Sequence, residues 1–196
     1  MPPFNASVCL FCGARSGHDP ALAQMARETG RLLAGRGWRL VYGAGDVGLM
    51  GEAARAAQAA GGHTLGVIPQ HLRQRERPQM ATDGAGHGNA LMVVTETMHE
   101  RKKVMFTNSD AAIVLPGGAG TLDEFFEVLT WAQIGLHRKP ILLVDTNGFW
   151  NPLLALIDHV IAQGFAEPSL RDLFTTAADL TALADALDRQ LPLPVK

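Results

Sequence analysis

The sequence has little net charge and no long apolar run. Its 196 residues carry a formal net charge of −2, and 18% of them are charged. A near-neutral chain offers no electrostatic case for general nucleic-acid binding. No apolar stretch approaches the roughly 20 residues of a membrane-spanning helix, and the first residues lack the basic and apolar regions of a signal peptide. We therefore expect a soluble, cytoplasmic protein with no nucleic-acid or membrane partner.

Cysteine is also scarce, since Cys9 and Cys12 are the only two. They form a C-x-x-C pattern inside an apolar run typical of a strand, where positions i and i+3 point to opposite faces. A zinc site would need two further ligands, and the metalloprotease pattern that begins at His99-Glu100 fails at Lys103. We predict buried structural cysteines, with a redox role as the alternative, and we expect no metal and no cofactor.

Short apolar runs alternate with helical patterns along the chain. The runs are continuously apolar, which is typical of parallel strands covered on both faces. This alternation predicts a single α/β domain over residues 1–196, with a Rossmann-like, doubly wound, mainly parallel sheet and helices on both faces. Ligands in such folds bind beyond the carboxyl ends of the strands. The predicted strands span residues 7–13, 38–42, 63–68, 91–95, 111–115 and 140–144.

Local signals mark two helix starts, a terminal helix and one long loop. Asp19-Pro20 and Asn151-Pro152 are each typical of an N-cap followed by the first helical residue. An amphipathic helix is predicted over residues 179–191. The polar stretch 71–89 is longer than a usual strand-to-helix connection, and it is either a functional lid or a surface excursion.

The first of two glycine-rich turns, residues 42–51, contains G-x-G-x-x-G at Gly43, Gly45 and Gly48. It lies between a predicted strand and a helix, as a dinucleotide fingerprint does. However, it follows the second strand, and no acidic residue closes the next strand to hold a ribose, which disfavours NAD. The turn either presents backbone N–H groups to a phosphate or is a structural tight turn.

The second turn, residues 115–124, places Gly117, Gly118 and Gly120 between a strand and a helix. Glycines let the backbone approach a ligand closely, and the N–H groups that follow carry the positive end of the helix dipole. The turn is not a Walker A loop, because no Gly-Lys-Ser/Thr follows. Thr121 and Glu124 either form a capping box or leave Glu124 free to orient water or stabilise a cationic transition state.

A cation-rich helix follows the fourth predicted strand. Thr97-x-x-Glu100 predicts a capping box at its start. Arg101 either clamps a phosphate bidentately or forms a salt bridge with a neighbouring acid. One face of this helix combines cations with apolar side chains by its i, i+3, i+4 and i+7 spacing: Met98, Arg101, Lys102 and Met105.

Together these motifs resemble the LOG-type phosphoribohydrolases, the cytokinin riboside monophosphate family often described as "lysine decarboxylase". The likeness runs from Val8 to about Phe165. Residues 40–51 resemble the family's Y-G-G-G-x-x-G-L-M-G turn, and residues 98–102 match M-H-x-R-K. Residues 116–124 match P-G-G-x-G-T-x-x-E, and residues 130–140 match T-W-x-Q-[LI]-G-x-H-x-K-P. The last three motifs together are highly specific.

The resemblance implies a Rossmann-like, usually dimeric enzyme. Such an enzyme hydrolyses the N-glycosidic bond of a purine nucleoside 5′-monophosphate to a free base and ribose 5-phosphate. By matching motif, Arg101 and Glu124 inherit the catalytic roles, and Glu124 would stabilise positive charge on the sugar. No cofactor is implied. The expected substrate and phosphate contacts are Lys102, Gly117, Gly118, Gly120, Thr121, Thr130, Gly43, Gly45 and Met98.

The chain departs from the family pattern at two positions. Ala44 replaces a glycine of the triple-glycine turn, where a methyl group either narrows the approach to the ligand or is tolerated. Ala14 stands where relatives commonly carry serine, which removes one polar contact. Neither departure touches the catalytic pair, but both bear on substrate preference.

Two rival functions and one packing question stay open. A non-catalytic carrier of a phosphorylated ligand, similar to molybdenum-cofactor carriers, would share the fold but has no evident need for Arg101 and Glu124. An enzyme acting mainly on AMP is the second rival, since the sequence does not separate AMP from N6-modified AMP. The apolar helix predicted over residues 122–134 packs either between the subunits of a homodimer or within the monomer.

Overall fold

A single parallel sheet organises the computed structural model, which describes residues 3–73 and 89–193. The strand order is β4-β3-β2-β1-β5-β6-β7, and each neighbouring pair runs parallel. The order moves outward from β1 in both directions, which is the doubly wound arrangement that the sequence predicts. The strands are β1 Ala6–Phe11, β2 Trp38–Tyr42, β3 Thr64–Pro69, β4 Ala90–Thr95, β5 Ala111–Val114, β6 Ile141–Val144 and β7 Thr175–Ala177.

Helices cover both faces of the sheet and create two separate cores. Helices α1, α2 and α6 pack on one face, and α3, α4 and α5 pack on the other. The predicted Rossmann-like α/β fold is therefore confirmed. None of the described helices combines the length and apolar character that a bilayer crossing requires. The helices are α1 Pro20–Gly35, α2 Gly48–Ala59, α3 Met98–Thr107, α4 Ala119–Gln133, α5 Asn151–Ala162 and α6 Leu180–Asp188.

Alternation along β1 places the two cysteines in different cores. Cys9 packs with the α3–α5 layer, and Cys12 packs with the α1, α2 and α6 layer. Both are free thiols, and burial raises the pKa of each above its ordinary value. The prediction of buried cysteines is confirmed. They lie in different cores because side chains three positions apart on a strand point to opposite faces.

The strand ends differ from the sequence prediction in a few places. Strand β7 is missing from the prediction, since three residues are too short to form an apolar run. The expectation that every strand is covered on both faces is wrong for the edge strand β4, where Leu91 is 58% exposed and Val94 is 41% exposed. Helix α5 begins one residue early, so its N-cap is Trp150 instead of Asn151. The predicted cap Asp19 is confirmed, since its carboxylate accepts from Ala21 N at 2.8 Å.

The long polar stretch predicted over residues 71–89 lies mostly outside the described residues, which resume at Asn89. Its first three residues follow β3, and a short 3-10 turn spans Gln70–Leu72.

Candidate active site

A cavity of about 590 Å³ opens where the strands β1, β2 and β5 end. This is the edge of a parallel sheet at which ligands bind in doubly wound folds. Its walls come mainly from the turns after β1 and β5 and from the first turns of α2, α3 and α4. The predicted site residues that line it are Met98, Arg101, Gly117, Gly118, Gly120, Thr121 and Glu124. The remaining predicted site residues do not line it: Lys102, Thr130, Gly43 and Gly45.

Helix α3 begins with the capping box that the sequence predicts. The Thr97 hydroxyl accepts from Glu100 N at 3.1 Å, and the Glu100 carboxylate accepts from Thr97 N at 3.2 Å. These bonds satisfy backbone N–H groups at the helix start and hold it in place beyond β4. Three residues of the face that mixes cations with apolar side chains are buried: Arg101, Lys102 and Met105.

Arg101 is anchored by backbone carbonyl groups. Its Nε donates to Val67 O at 3.1 Å, and its Nη2 donates to Gly43 O at 3.1 Å. No carboxylate among the described residues pairs with Arg101, so the salt-bridge alternative has no support there. Carbonyl groups carry no formal charge, so the guanidinium keeps its positive charge beside the cavity in a fixed orientation.

The first glycine turn supports Arg101 from behind. A Cβ at Gly43 would overlap Arg101 Nη2, so only glycine leaves room for the guanidinium. The N–H groups at the start of α2 are already used, because Leu49 N and Met50 N donate to Gly13 O at 3.0 and 3.4 Å. The geometry therefore favours the structural tight turn over a phosphate site at α2.

Ala44 occupies a left-handed conformation with φ of 59° and is buried. Its methyl group points to β3, where Gly66 has no side chain, and a Cβ at Gly66 would lie 2.8 Å from Ala44 Cβ. The methyl group is thus accommodated away from the cavity, although the left-handed backbone costs about 1 kcal/mol in a residue other than glycine. Ala14, by contrast, lines the cavity, so the second departure from the family pattern changes a residue of the cavity wall.

Helix α4 begins earlier than a Thr121 cap would require. Its N-cap is Gly118 and its first residue is Ala119, which places Thr121 and Glu124 inside the helix. Of the two alternatives for Thr121 and Glu124, the capping box is therefore wrong. No side chain caps the N-terminus, and a Cβ at Gly118 or Gly120 would meet nothing within 4 Å. The start of α4 therefore borders open cavity space, at the positive end of the helix dipole.

Glu124 is a buried carboxylate without a hydrogen bond to any described residue. It is 8% exposed, and it lines the cavity one turn inside α4. Burial raises the pKa of its carboxyl from 4.5 to about 7, whereas the positive charges of Arg101 and Lys102 act in the opposite direction. A carboxyl group that changes its charge near neutral pH is suited to proton transfer and to electrostatic stabilisation of a cation.

Lys102 joins the two helices that carry Arg101 and Glu124. Its Nζ lies 3.0 Å from a carboxylate oxygen of Asp123 and 3.0 Å from one of Glu127, and its side chain is 10% exposed. The expected substrate contact by Lys102 is thus not seen in the cavity, and the ammonium group instead ties α3 to α4.

Thr130 lies on the opposite side of α4 from the buried core residues and is exposed. It follows Glu124 by six residues, or about 9 Å along the helix, which places it away from the cavity of its own chain. One face of α4 packs inside the monomer through Phe125, Val128 and Leu129. Packing within the monomer therefore accounts for that face, whereas Thr130 and Phe126 on the other side remain exposed.

Sequence reasoning missed several cavity residues, notably Arg15, Asp123 and Phe149. Arg15 follows β1, and Phe149 lies on the turn after β6. A signal was available for both, because every turn beyond a carboxyl strand end of a parallel sheet borders the same edge. Among residues 3–73 and 89–193, no group of three or more metal-ligating side chains is present.

Comparison with known proteins identifies relatives of this chain. Residues 50–187 match the protein family described as "Possible lysine decarboxylase". A probable cytokinin riboside 5′-monophosphate phosphoribohydrolase of Oryza sativa subsp. japonica is 44% identical over 186 residues, which cover 95% of this chain and 79% of that protein. A cytokinin riboside 5′-monophosphate phosphoribohydrolase of Rhodococcoides fascians is 41% identical over 185 residues, which cover 94% and 90% of the two chains.

Solved structures at lower identity share the fold. The molybdenum cofactor carrier protein of Chlamydomonas reinhardtii matches with a TM-score of 0.66 and 22% identity, covering 95% of this chain and 98% of that one. The molybdenum cofactor binding protein of Rippkaea orientalis matches with a TM-score of 0.66 and 20% identity, covering 94% and 96%. At this identity the likeness shows the architecture alone, whereas the sequence relatives show that the chain belongs to the family of cytokinin riboside 5′-monophosphate phosphoribohydrolases.

Proposed function

We propose that this protein hydrolyses the N-glycosidic bond of a purine nucleoside 5′-monophosphate, releasing the free base and ribose 5-phosphate. The observation that carries the proposal is Glu124, a buried carboxylate without a hydrogen-bond partner among the described residues. It shares one cavity with the uncapped N-terminus of α4 and with Arg101. The family relationship supports the same activity.

The N-terminus of α4 binds the 5′-phosphate in this proposal. Gly117, Gly118 and Gly120 let the phosphate oxygens approach the backbone, and the N–H groups and helix dipole favour negative charge there. Thr121, which lines the cavity in the first turn of α4, is placed to add a hydroxyl contact. Met98 at the start of α3 contributes an apolar contact to the same ligand.

Glu124 and Arg101 carry the chemistry. As the C–N bond to the base lengthens, positive charge develops on the ribose, and the ionised Glu124 carboxylate stabilises it. Water then adds to the anomeric carbon and gives up a proton, which Glu124 can accept because its pKa of about 7 lies near neutral pH. The departing base takes up one proton from solvent, so that the products are the neutral base and ribose 5-phosphate. Arg101 holds the nucleotide and donates a hydrogen bond that favours departure of the base.

A carrier without turnover is the less suitable alternative. Its support is the shared fold of the molybdenum cofactor proteins, which are only 20–22% identical to this chain. Holding a phosphorylated ligand does not require a buried carboxyl group that titrates near pH 7 beside the ligand cavity. A decarboxylase with a Schiff-base lysine is also disfavoured at Lys102, because two carboxylates hold its ammonium group.

The homodimer and the cytoplasmic location form part of the proposal. Apolar side chains on β4 and on the outer side of α4 are exposed in the single chain, including Leu91 at 58% and Ile134 at 63%. A homodimer that covers the exposed face of α4 would also place Thr130 at the interface. Light scattering on the purified protein would measure the mass of the assembly. Cell fractionation would measure its location.

The decisive assay incubates the protein with AMP, with N6-isopentenyl-AMP and with the unphosphorylated nucleosides. Free base is then measured by chromatography. We expect base from the monophosphates and little or none from the nucleosides, and the ratio of the two rates defines the preferred base. The E124Q variant should bind the monophosphates and release no base. Tight binding of monophosphates by the wild type without any release of base would support the carrier instead.

A further inference from the structure

Arg15 is a cation in the wall of the cavity, and the proposed mechanism gives it no role. It follows β1 by four residues and lies at the carboxyl end of the sheet beside the turn after β5. Strands β1 and β5 are hydrogen-bonded neighbours, with Phe11 paired to Val114. The turns that follow these strands therefore emerge side by side, and Arg15 lies on one of them.

Close backbone packing holds the segment of Arg15 against the second glycine turn. Gly13 N donates to Pro116 O at 3.0 Å. A Cβ at Gly13 would lie 3.4 Å from Gly117 Cα and 2.9 Å from Arg15 O. On the other side, a Cβ at Gly48 would overlap the backbone of residues 14 and 15. The backbone that carries Arg15 is therefore placed next to Gly117 by contacts on two sides.

The charge of Arg15 is not neutralised by any acid in the part of the chain that the structure describes. No acid among residues 3–73 and 89–193 forms an ion pair with it. The other two cations near the cavity have partners within the protein. The guanidinium of Arg101 donates to two backbone carbonyl groups, and the ammonium group of Lys102 forms ion pairs with two carboxylates. The same cavity also contains Glu124, which is 8% exposed and has no partner among the described residues. The guanidinium of Arg15 and the carboxylate of Glu124 are thus available to a ligand.

We propose that Arg15 binds the 5′-phosphate together with the N-terminus of α4 and so determines the preference for nucleotides over nucleosides. The inference rests on the proposed function. A phosphate on a helix N-terminus keeps oxygen atoms that face away from the helix, and a guanidinium on the neighbouring turn can bind two of them in its planar fork. Lysine would supply the charge without the fork.

The test compares R15A and R15K with R31A, which removes an exposed arginine on α1 that does not line the cavity. Hydrolysis of AMP and of adenosine gives KM and kcat for each variant. Calorimetry with ribose 5-phosphate gives its Kd without depending on turnover. For R15A we expect KM for AMP and Kd for ribose 5-phosphate to rise roughly 10- to 100-fold, with kcat nearly unchanged. R15K should lie between R15A and the wild type, and R31A should match the wild type.

Each outcome decides the inference separately from the proposed function. Unchanged Kd for ribose 5-phosphate in R15A would overturn the role of Arg15, even if the wild type hydrolyses AMP. An equal loss toward AMP and adenosine would also overturn it, because the guanidinium would then act on another part of the substrate. If the wild type binds ribose 5-phosphate but releases no base, the proposed hydrolysis fails while the Kd of R15A still decides the role of Arg15. Failure of the wild type to bind ribose 5-phosphate would overturn the role of Arg15, whereas release of base from AMP would still decide the proposed hydrolysis.

Discussion

Replacement of Glu124 by glutamine tests two effects of this side chain separately. One is the free energy that burial of its carboxylate costs on folding, and the other is its part in hydrolysis. The carboxyl group is 8% exposed, and burial raises its pKa from 4.5 to about 7 against the opposing charge of Arg101. Since each pKa unit corresponds to about 1.4 kcal/mol, keeping this group ionised in the folded protein costs about 3 kcal/mol. Glutamine has nearly the same shape and no charge to desolvate, so E124Q removes that cost.

The sign of the effect follows from the two protonation states. Between pH 4.5 and about 7 the folded protein keeps the proton on Glu124, whereas the unfolded chain has already lost it. The contribution of this group to stability is therefore complete below pH 4.5 and is lost as the pH rises through 7. The unfolding free energy of E124Q relative to the wild type should increase by about 3 kcal/mol between roughly pH 4 and pH 8.

Urea unfolding of both proteins across this pH range measures the difference directly. The control is E167Q, which changes an exposed glutamate and should follow the wild type at every pH. In parallel, hydrolysis by the wild type should increase through about pH 7 as Glu124 ionises, and E124Q should remain inactive. If the stability difference between E124Q and the wild type stays constant with pH, burial does not hold Glu124 protonated and the reasoning is wrong.

Two further substitutions test how Arg101 and Glu124 are positioned. G43A introduces a Cβ that overlaps Arg101 Nη2, so hydrolysis should fall at least about 10-fold while G35A, at a helix end with open space, stays near wild type. K102M leaves two carboxylates without their cation and should lower the unfolding free energy by about 2 kcal/mol, measured in urea, whereas K102R should restore most of it. K102M should also shift the pH profile of hydrolysis upward, because the charge of Lys102 lowers the pKa of Glu124. Weaker substrate binding by K102M with an unchanged pH profile would instead favour the direct substrate contact that the family resemblance implies.

Local sequence signals predicted features that depend on short-range chemistry. The capping box of Thr97 and Glu100 is confirmed because both partners lie within one helical turn. The cap at Asp19 is confirmed for the same reason. The similar pattern at Thr121 and Glu124 does not form a capping box, because the backbone becomes helical directly after Gly118 and leaves both side chains inside α4. A capping pattern predicts that a helix start is possible nearby, but the residue at which the helix begins depends on the turn before it.

Contacts between distant segments were beyond the reach of sequence spacing. The carbonyl partners of Arg101 are 34 and 58 residues away from it: Val67 lies on β3, and Gly43 lies directly after β2. Lys102 donates to Asp123, which lies 21 residues further along the chain. The family motif alone had implied that Lys102 contacts the substrate. Such pairings depend on which helices lie side by side, and this in turn depends on the strand order of the sheet.

The sequence by itself predicted the parallel α/β architecture and the family, because apolar periodicity and contiguous motifs lie along the chain. The same motifs selected Arg101 and Glu124 as the candidate catalytic pair. The tertiary structure decided which of the two glycine turns remains open to a ligand. At α2 the first N–H groups donate to Gly13 O, whereas the start of α4 has no side-chain cap and lines the cavity. It also decided that Glu124 is buried beside Arg101, since desolvation and charge proximity arise only after distant segments have packed together.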